Sequence, residues 1–172
     1  MEKIQTTKEK DPKPRILISS CLAGEPTRYD AGKRDVKDEE LAKLAEDGKA
    51  MLLCPEQEGG LPTPREPAEI EEGKTAEDVL NGNGRVLTKD GRDVTEEFVV
   101  GARKLLQICQ DNDIETVVLK ESSPSCGSEN TYDGTFSGTK REGAGIATEL
   151  LCQNGIKVYS ENNFPREILD KQ

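Results

Sequence analysis

Four short apolar runs stand out from an otherwise polar chain: Arg15-Ile16-Leu17-Ile18-Ser19 after Pro14, Ala50-Met51-Leu52-Leu53, Glu115-Thr116-Val117-Val118-Leu119-Lys120, and Ile156-Lys157-Val158-Tyr159. Continuous apolar runs of this kind predict buried strands. Between them the apolar positions fall at helical spacing. Leu41, Leu44 and Ala45 predict a helix over Asp35 to Asp47, stopped by Gly48. Thr95 and Glu97 open a second helix whose apolar face is Phe98, Ala102, Leu105 and Leu106, running to about Asp111. A third spans Ala144 to Gln153 before Gly155, and Asn163 to Leu169 forms a short terminal helix. Strands alternating with helices predict a single α/β domain, Rossmann-like, with a mainly parallel sheet and helices on both faces. The predicted domain is 15–172, preceded by a loose polar tail, 1–14. Residues 55–92 are dense in Gly, Pro and charge and are too long for a plain loop, so they are expected to form a functional lid holding small elements. Residues 121–141 read as loop.

Composition narrows the function. The net charge of −10 argues against a long nucleic acid partner, because phosphate binding needs a basic surface. No apolar run is long enough to span a membrane, and Met1 to Lys13 lacks the apolar core of a secretion signal. A cytoplasmic location follows as the expectation, and there thiols stay reduced. The chain has five cysteines and no histidine. That excludes Ser-His and Cys-His catalytic pairs and every histidine-based zinc site.

Three of the cysteines share a position in the predicted fold. Cys21 follows the first strand, Cys54 the second, and Cys126 lies in the loop after the third. In an open parallel sheet, sites form beyond the carboxyl ends of the strands. Thiols far apart in sequence can therefore meet at that edge. Cys109 and Cys152 fall within helices and are expected to be small buried hydrophobes. Three cysteines cannot close a tetrahedral thiolate zinc site, but they can hold three irons of a 4Fe–4S cluster and leave the fourth iron open. Spacing alone leaves two readings standing: a metal centre, or three scattered core thiols.

The motifs around these cysteines are long. Ser20-Cys21-Leu22-Ala23-Gly24 is followed by Arg28-Tyr29-Asp30, and Cys54-Pro55-Glu56 by Gly59-Gly60-Leu61-Pro62-Thr63-Pro64-Arg65. Leu119-Lys120 leads to Ser123-Pro124-Ser125-Cys126-Gly127 and then to Tyr132-Asp133-Gly134-Thr135-Phe136-Ser137-Gly138. In this order, over about Arg15 to Phe164, the chain resembles the thiouracil desulfidase family, formerly domain of unknown function 523. The resemblance implies a 4Fe–4S cluster on Cys21, Cys54 and Cys126, whose open iron takes the sulfur of a thiolated pyrimidine. It implies conversion of thiouracil and water to uracil and sulfide with no net redox change. It puts Glu56 at the acid/base position and gives an assisting role to Ser122, with Ser125 as the alternate.

Several residues keep two readings. Arg28, Arg65 and Lys120 either offset cluster charge and grip an anionic substrate group, or anchor loops through salt bridges. Tyr132 and Phe136 either stack on a pyrimidine or belong to the core. Two other functions share the cysteines: a desulfidase acting on thiolated nucleosides or nucleotides, and an iron–sulfur or sulfide carrier with no catalysis. A carrier has no need of Glu56. The expected assembly is a monomer or homodimer.

Overall fold

The computed structural model describes residues 15–24, 38–165 and 167–170. The tail 1–14, the motif Arg28-Tyr29-Asp30 and the expected helix start at Asp35 lie outside the described residues. The four apolar runs form one parallel sheet in the order β2-β1-β5-β8. Its strands are β1 (Ile16–Ser19), β2 (Ala50–Leu53), β5 (Thr116–Leu119) and β8 (Lys157–Ser160). The main helices are α1 (Glu39–Glu46), α4 (Thr95–Asp111) and α5 (Ile146–Gln153), with a short α6 (Glu167–Asp170). Asp38 caps α1, its carboxylate accepting from the amides of Glu40 and Leu41. Among the described residues no helix is long and apolar enough to cross a membrane.

The sheet is covered on both faces. Ile16, Ile18 and Val118 point one way, into a cluster with Leu22, Leu41, Leu44 and Phe164. Leu17, Val117 and Leu119 point the other way, against Phe98 and Leu105 of α4 and Ile146 and Leu151 of α5. Burying each of these side chains contributes roughly 1.5–3 kcal/mol. That two-sided demand is why the strands read as unbroken apolar runs.

The stretch expected to be a lid folds into α2 (Pro55–Glu58), β3 (Ala68–Ile70), α3 (Ala76–Leu80) and β4 (Val86–Thr88). β3 and β4 pair as an antiparallel hairpin. Ile70, Val79 and Val86 join the α4–α5 core. Thr75 and Asp78 close a capping box on α3. The stretch read as loop at 121–141 holds a second antiparallel hairpin, β6 (Asn130–Tyr132) with β7 (Lys140–Glu142). Both hairpins escape a pattern search because their strands are only three residues long. Cys109 is buried as expected, but Cys152 is exposed. Leu151, its neighbour in α5, takes the core-facing position, and one helical step turns Cys152 outward.

Two contacts fix the loops at the carboxyl edge. In the first, α2 lies backbone to backbone on α4. A Cβ on Gly59 would sit 1.9 Å from the Glu97 carbonyl oxygen, and one on Gly101 would sit 2.0 Å from that of Pro55. Gly59 has an ordinary φ of −78°, and what it serves is this close approach. In the second, the loop after β5 docks on the start of α5. Ile146 and Ala147 amides donate to the carbonyls of Pro124 and Ser125 at 2.7 and 2.9 Å. The Thr148 hydroxyl donates to the Cys126 carbonyl at 3.0 Å. The same loop wraps the Glu121 carboxylate, which accepts from the amides of Ser122, Ser128, Glu129 and Asn130 and from the Ser128 hydroxyl. Burial alone would raise the pKa of Glu121. The hydrogen bonds, led by the Ser128 hydroxyl, outweigh it and hold the carboxyl below its ordinary range.

Gly101→Ala forces α2 off α4 and should lower stability by about 1–3 kcal/mol or more, measured by urea denaturation. Glu121 has a lowered folded pKa, so its contribution is present above the ordinary carboxylate range and is lost as pH falls through the folded value. Glu121→Gln should be less stable than wild type at pH 7, by roughly 1–3 kcal/mol. The gap should close as both proteins are melted at successively lower pH below about 4.5.

Candidate active site

The crevice that holds the site opens where two strands part. β1 pairs with β2 as far as Ser19, and β5 with β8 as far as Leu119, but β1 and β5 pair only to Ile18 and Val118. Past that point the Lys120 amide donates to the Ser19 hydroxyl at 3.1 Å instead of to a strand carbonyl. β2 and β5 flank β1 on opposite sides, so the chain reverses its direction of travel across the sheet here. Ligand sites of open α/β sheets form at such reversals. A cavity of about 530 Å³ lies at this edge.

Cys21, Cys54 and Cys126 all line that cavity. Cys21 sits in a short 3-10 helix, Ser20–Ala23, that ends on Gly24 with φ 95°. Cys54 occupies the cap position of α2, with Pro55 next. Cys126 donates its amide to the Ser123 hydroxyl at 2.7 Å. A side chain at Gly145 would collide with the Ser125–Cys126 peptide, its Cβ 2.5 Å from the Ser125 carbonyl carbon. Burial raises the Cys126 thiol well above its ordinary range, and the Glu56 charge raises it further. Cys54 and Cys21 add to this, opposed only by the Ser123 hydrogen bond. Cys54 is raised too, by burial first and then by Glu56, against the pull of the Gln57 amide and Arg65. Two buried thiols and a half-buried one, on one cavity wall beside a carboxylate, form a donor set that a cationic metal group would satisfy. Among the described residues, no three His, Cys, Asp or Glu side chains converge tightly enough to hold a single metal ion. A single ion needs all its sulfurs about 2.3 Å from one centre, whereas a cluster spreads them over several irons. Three thiolates are the kind of donor set that a polynuclear iron–sulfur group takes.

Glu56 stands at the same wall. Arg65 reaches it with both Nε, at 3.1 Å, and Nη2, and both bonds fall on Oε2. Oε1 has no hydrogen-bond donor among the described residues. Arg65 is itself fixed by the Pro62 carbonyl and the Thr63 hydroxyl, and its side chain is only 4% exposed. Arg65 thus forms a salt bridge with Glu56. Lys120 lines the cavity, pairs with Glu161 at 3.1 Å and donates to the Glu121 carbonyl. Ser122 also faces the cavity, with a left-handed φ of 73°. Ser125 is fully buried off the cavity wall, its hydroxyl without a partner among the described residues. Arg28 lies outside the described residues. Sequence reasoning missed Glu121 and Glu69. Both look like solvated charges in the chain, and the amides they bind come together only on folding.

Comparison with known proteins finds relatives over most of the chain. A family model described as 2-thiouracil desulfurase matches residues 16–163. The uncharacterized protein YbbK of Bacillus subtilis (strain 168) is 49% identical over 149 residues, which is 87% of this chain and 97% of that protein. The solved structure of the 4Fe–4S-dependent thiouracil desulfidase TudS (DUF523Vcz) matches with a TM-score of 0.78 at 42% identity, covering 92% of this chain and 98% of that one. The matched span contains the whole parallel sheet and each loop that brings a cysteine to the cavity, and on this ground the chain belongs to the 2-thiouracil desulfurase family.

Proposed function

We propose that the protein removes sulfur from a thiolated uracil, using water and releasing uracil and sulfide, with a 4Fe–4S cluster held by Cys21, Cys54 and Cys126. The observation that carries this reading is the meeting of three cysteines and Glu56 in one cavity, in a family member 42% identical to a 4Fe–4S-dependent thiouracil desulfidase. When bound, such a cluster supplies a Lewis-acidic iron suited to a soft thiocarbonyl sulfur.

The chain's own residues manage the proton. As water oxygen attacks the thiocarbonyl carbon, Glu56 accepts the water proton on Oε1, the oxygen not used by Arg65. Glu56 then returns that proton to the sulfur as the carbon–sulfur bond breaks, and the second water proton leaves the hydroxyl as the uracil carbonyl forms, so hydrosulfide and a proton are released and no electrons are exchanged. Arg65 holds the carboxylate in one orientation, which keeps Oε1 directed for the transfer. The Ser122 hydroxyl is the second polar group within the cavity suited to assist; Ser125 lacks that access. A cluster held by thiolates suits a reducing cytoplasm.

A second reading is favoured by the cavity rim. Exposed Lys89, Arg92 and Lys140 border the cavity in a protein of net charge −10. A local basic rim supports a substrate that carries phosphate, so a thiolated nucleotide belongs in the assay beside the free base. A carrier function finds less support, because it gives no use to the Glu56–Arg65 pair.

Anaerobically reconstituted wild type should hold about four irons per chain and release sulfide from at least one thiolated base, nucleoside or nucleotide. Cys21→Ala, Cys54→Ala and Cys126→Ala should each lose the iron, while Cys109→Ala and Cys152→Ala keep it. A need for Cys109 or Cys152 would refute the ligand set. Glu56→Gln should keep its iron and slow sulfide release by roughly 10²–10⁴-fold in single-turnover assays. Undiminished release by that variant would remove Glu56 from the mechanism and point to Ser122.

A further inference from the structure

Phe136 is an aromatic residue in a conformation that aromatic residues avoid. Its φ is 57°, in the left-handed region that glycine or asparagine enters with little strain. It lies at the tip of the β6–β7 hairpin, half-buried, and it lines the cavity with Tyr132. Neither hydrophobic cluster of the fold includes it. Closing the hairpin does not need it either, because the Asp133 amide already meets the Thr139 carbonyl at 2.9 Å. An unfavourable backbone that serves neither core nor turn points to a role at the cavity it faces.

Three separate contacts hold it there. Glu69 is buried on β3, and its Oε1 accepts the amides of Gly134 at 3.0 Å and Phe136 at 3.2 Å. Gly134, with φ 94°, lies directly on the chain leaving β3; a Cβ there would be 2.5 Å from the Glu72 nitrogen and 2.6 Å from the Ile70 carbonyl oxygen. The Asp133 carboxylate accepts from both the amide and the hydroxyl of Thr135, which stiffens the tip. Glu69 itself lines the cavity. One buried carboxylate, set 65 and 67 residues before the amides it binds, thus fixes both the hairpin tip and its aromatic ring.

We infer that Phe136 is a specificity-determining residue that stacks on the ring of the substrate, with Glu69 as its positioning residue. The inference deepens the desulfidase reading of the same site. Such a wall selects planar heteroaromatic thiocarbonyl compounds over aliphatic thioamides, since every pyrimidine has a π-face and thioacetamide has none to stack. It leaves the proton chemistry to Glu56.

The test separates binding from turnover. Affinity for uracil and uridine monophosphate, both unreactive, is measured by calorimetry and saturation-transfer NMR on the anaerobic, cluster-loaded protein. Phe136→Leu should weaken binding about tenfold or more, and Phe136→Tyr should restore it to within about threefold of wild type. In turnover, Phe136→Leu should raise KM far more than it lowers kcat, and should narrow the preference for thiouracil over thioacetamide. Glu69→Ala should behave like Phe136→Leu, whereas Glu69→Gln, which keeps an acceptor oxygen, should recover most of the affinity. Phe136→Gly relieves the strained backbone, so its Tm should hold or rise while affinity falls at least as far as in Phe136→Leu. Unchanged affinity in Phe136→Leu, or a lowered Tm with unchanged affinity in Phe136→Gly, would overturn the inference and make Phe136 a packing residue. Absence of uracil and uridine monophosphate binding by wild type that still turns over thiouracil would overturn it too. A wild type that binds uracil in a Phe136-dependent way but releases no sulfide would instead sink the desulfidase reading and leave the pocket assignment standing.

Discussion

Strands β1 and β5 separate after Ile18 and Val118, and the functional geometry follows from that separation. Parallel strands leave their loops on one edge, and here the pairings end level on either side of the gap, at Ser19 with Leu53 and Leu119 with Ser160. The first cysteine is therefore two residues past one strand and the second is one residue past its neighbour, both at the mouth of the same crevice. The freed Lys120 amide is satisfied by the Ser19 hydroxyl, so the crevice opens without leaving that buried donor unpaired. Both faces of the sheet are packed with helices and core side chains, which keeps the edge rigid while the loops beyond it carry the chemistry.

Polar contacts fix the loops at this edge. Glu121 gathers four amides and a hydroxyl, Glu69 gathers two amides, and Arg65 clamps Glu56. Placing carboxylates in partly buried positions is costly unless donors meet them. Each is met by groups that are themselves fixed in the backbone or by a second residue. That arrangement suits a site where a carboxylate and three thiols must share a small volume. Burial first, and then the Glu56 charge, raise the Cys54 and Cys126 thiols, and a bound cationic cluster would offset both effects.

Backbone strain gathers in the same place. Three residues other than glycine have left-handed φ among those described: Asp113, Ser122 and Phe136. Asp113 follows the C-terminus of α4, where such a conformation is ordinary. Ser122 and Phe136 both line the cavity. They are held by neighbouring carboxylates, Glu121 and Glu69, whose hydrogen bonds offset the cost.

The sequence by itself determined the central sheet and the edge on which the site lies. Strands buried on both faces must be apolar at successive positions, and that record survives in one dimension as the runs at Ile16, Ala50, Thr116 and Ile156. The order of strand and helix then implied a parallel sheet, and the motifs around Cys21, Cys54 and Cys126 pointed to the family. The tertiary structure alone decided the rest. The β3–β4 and β6–β7 hairpins have strands too short to carry a period. The need for glycine at Gly59 and Gly101 arises where two helices touch, not from the φ of either residue. The pairing of Arg65 with Glu56 and of Glu69 with Gly134 and Phe136 joins groups that no local pattern relates. Periodicity reports which side of an element is buried; it carries no information about which distant polar group will meet a buried charge, because that partner is chosen by the packing of the whole chain.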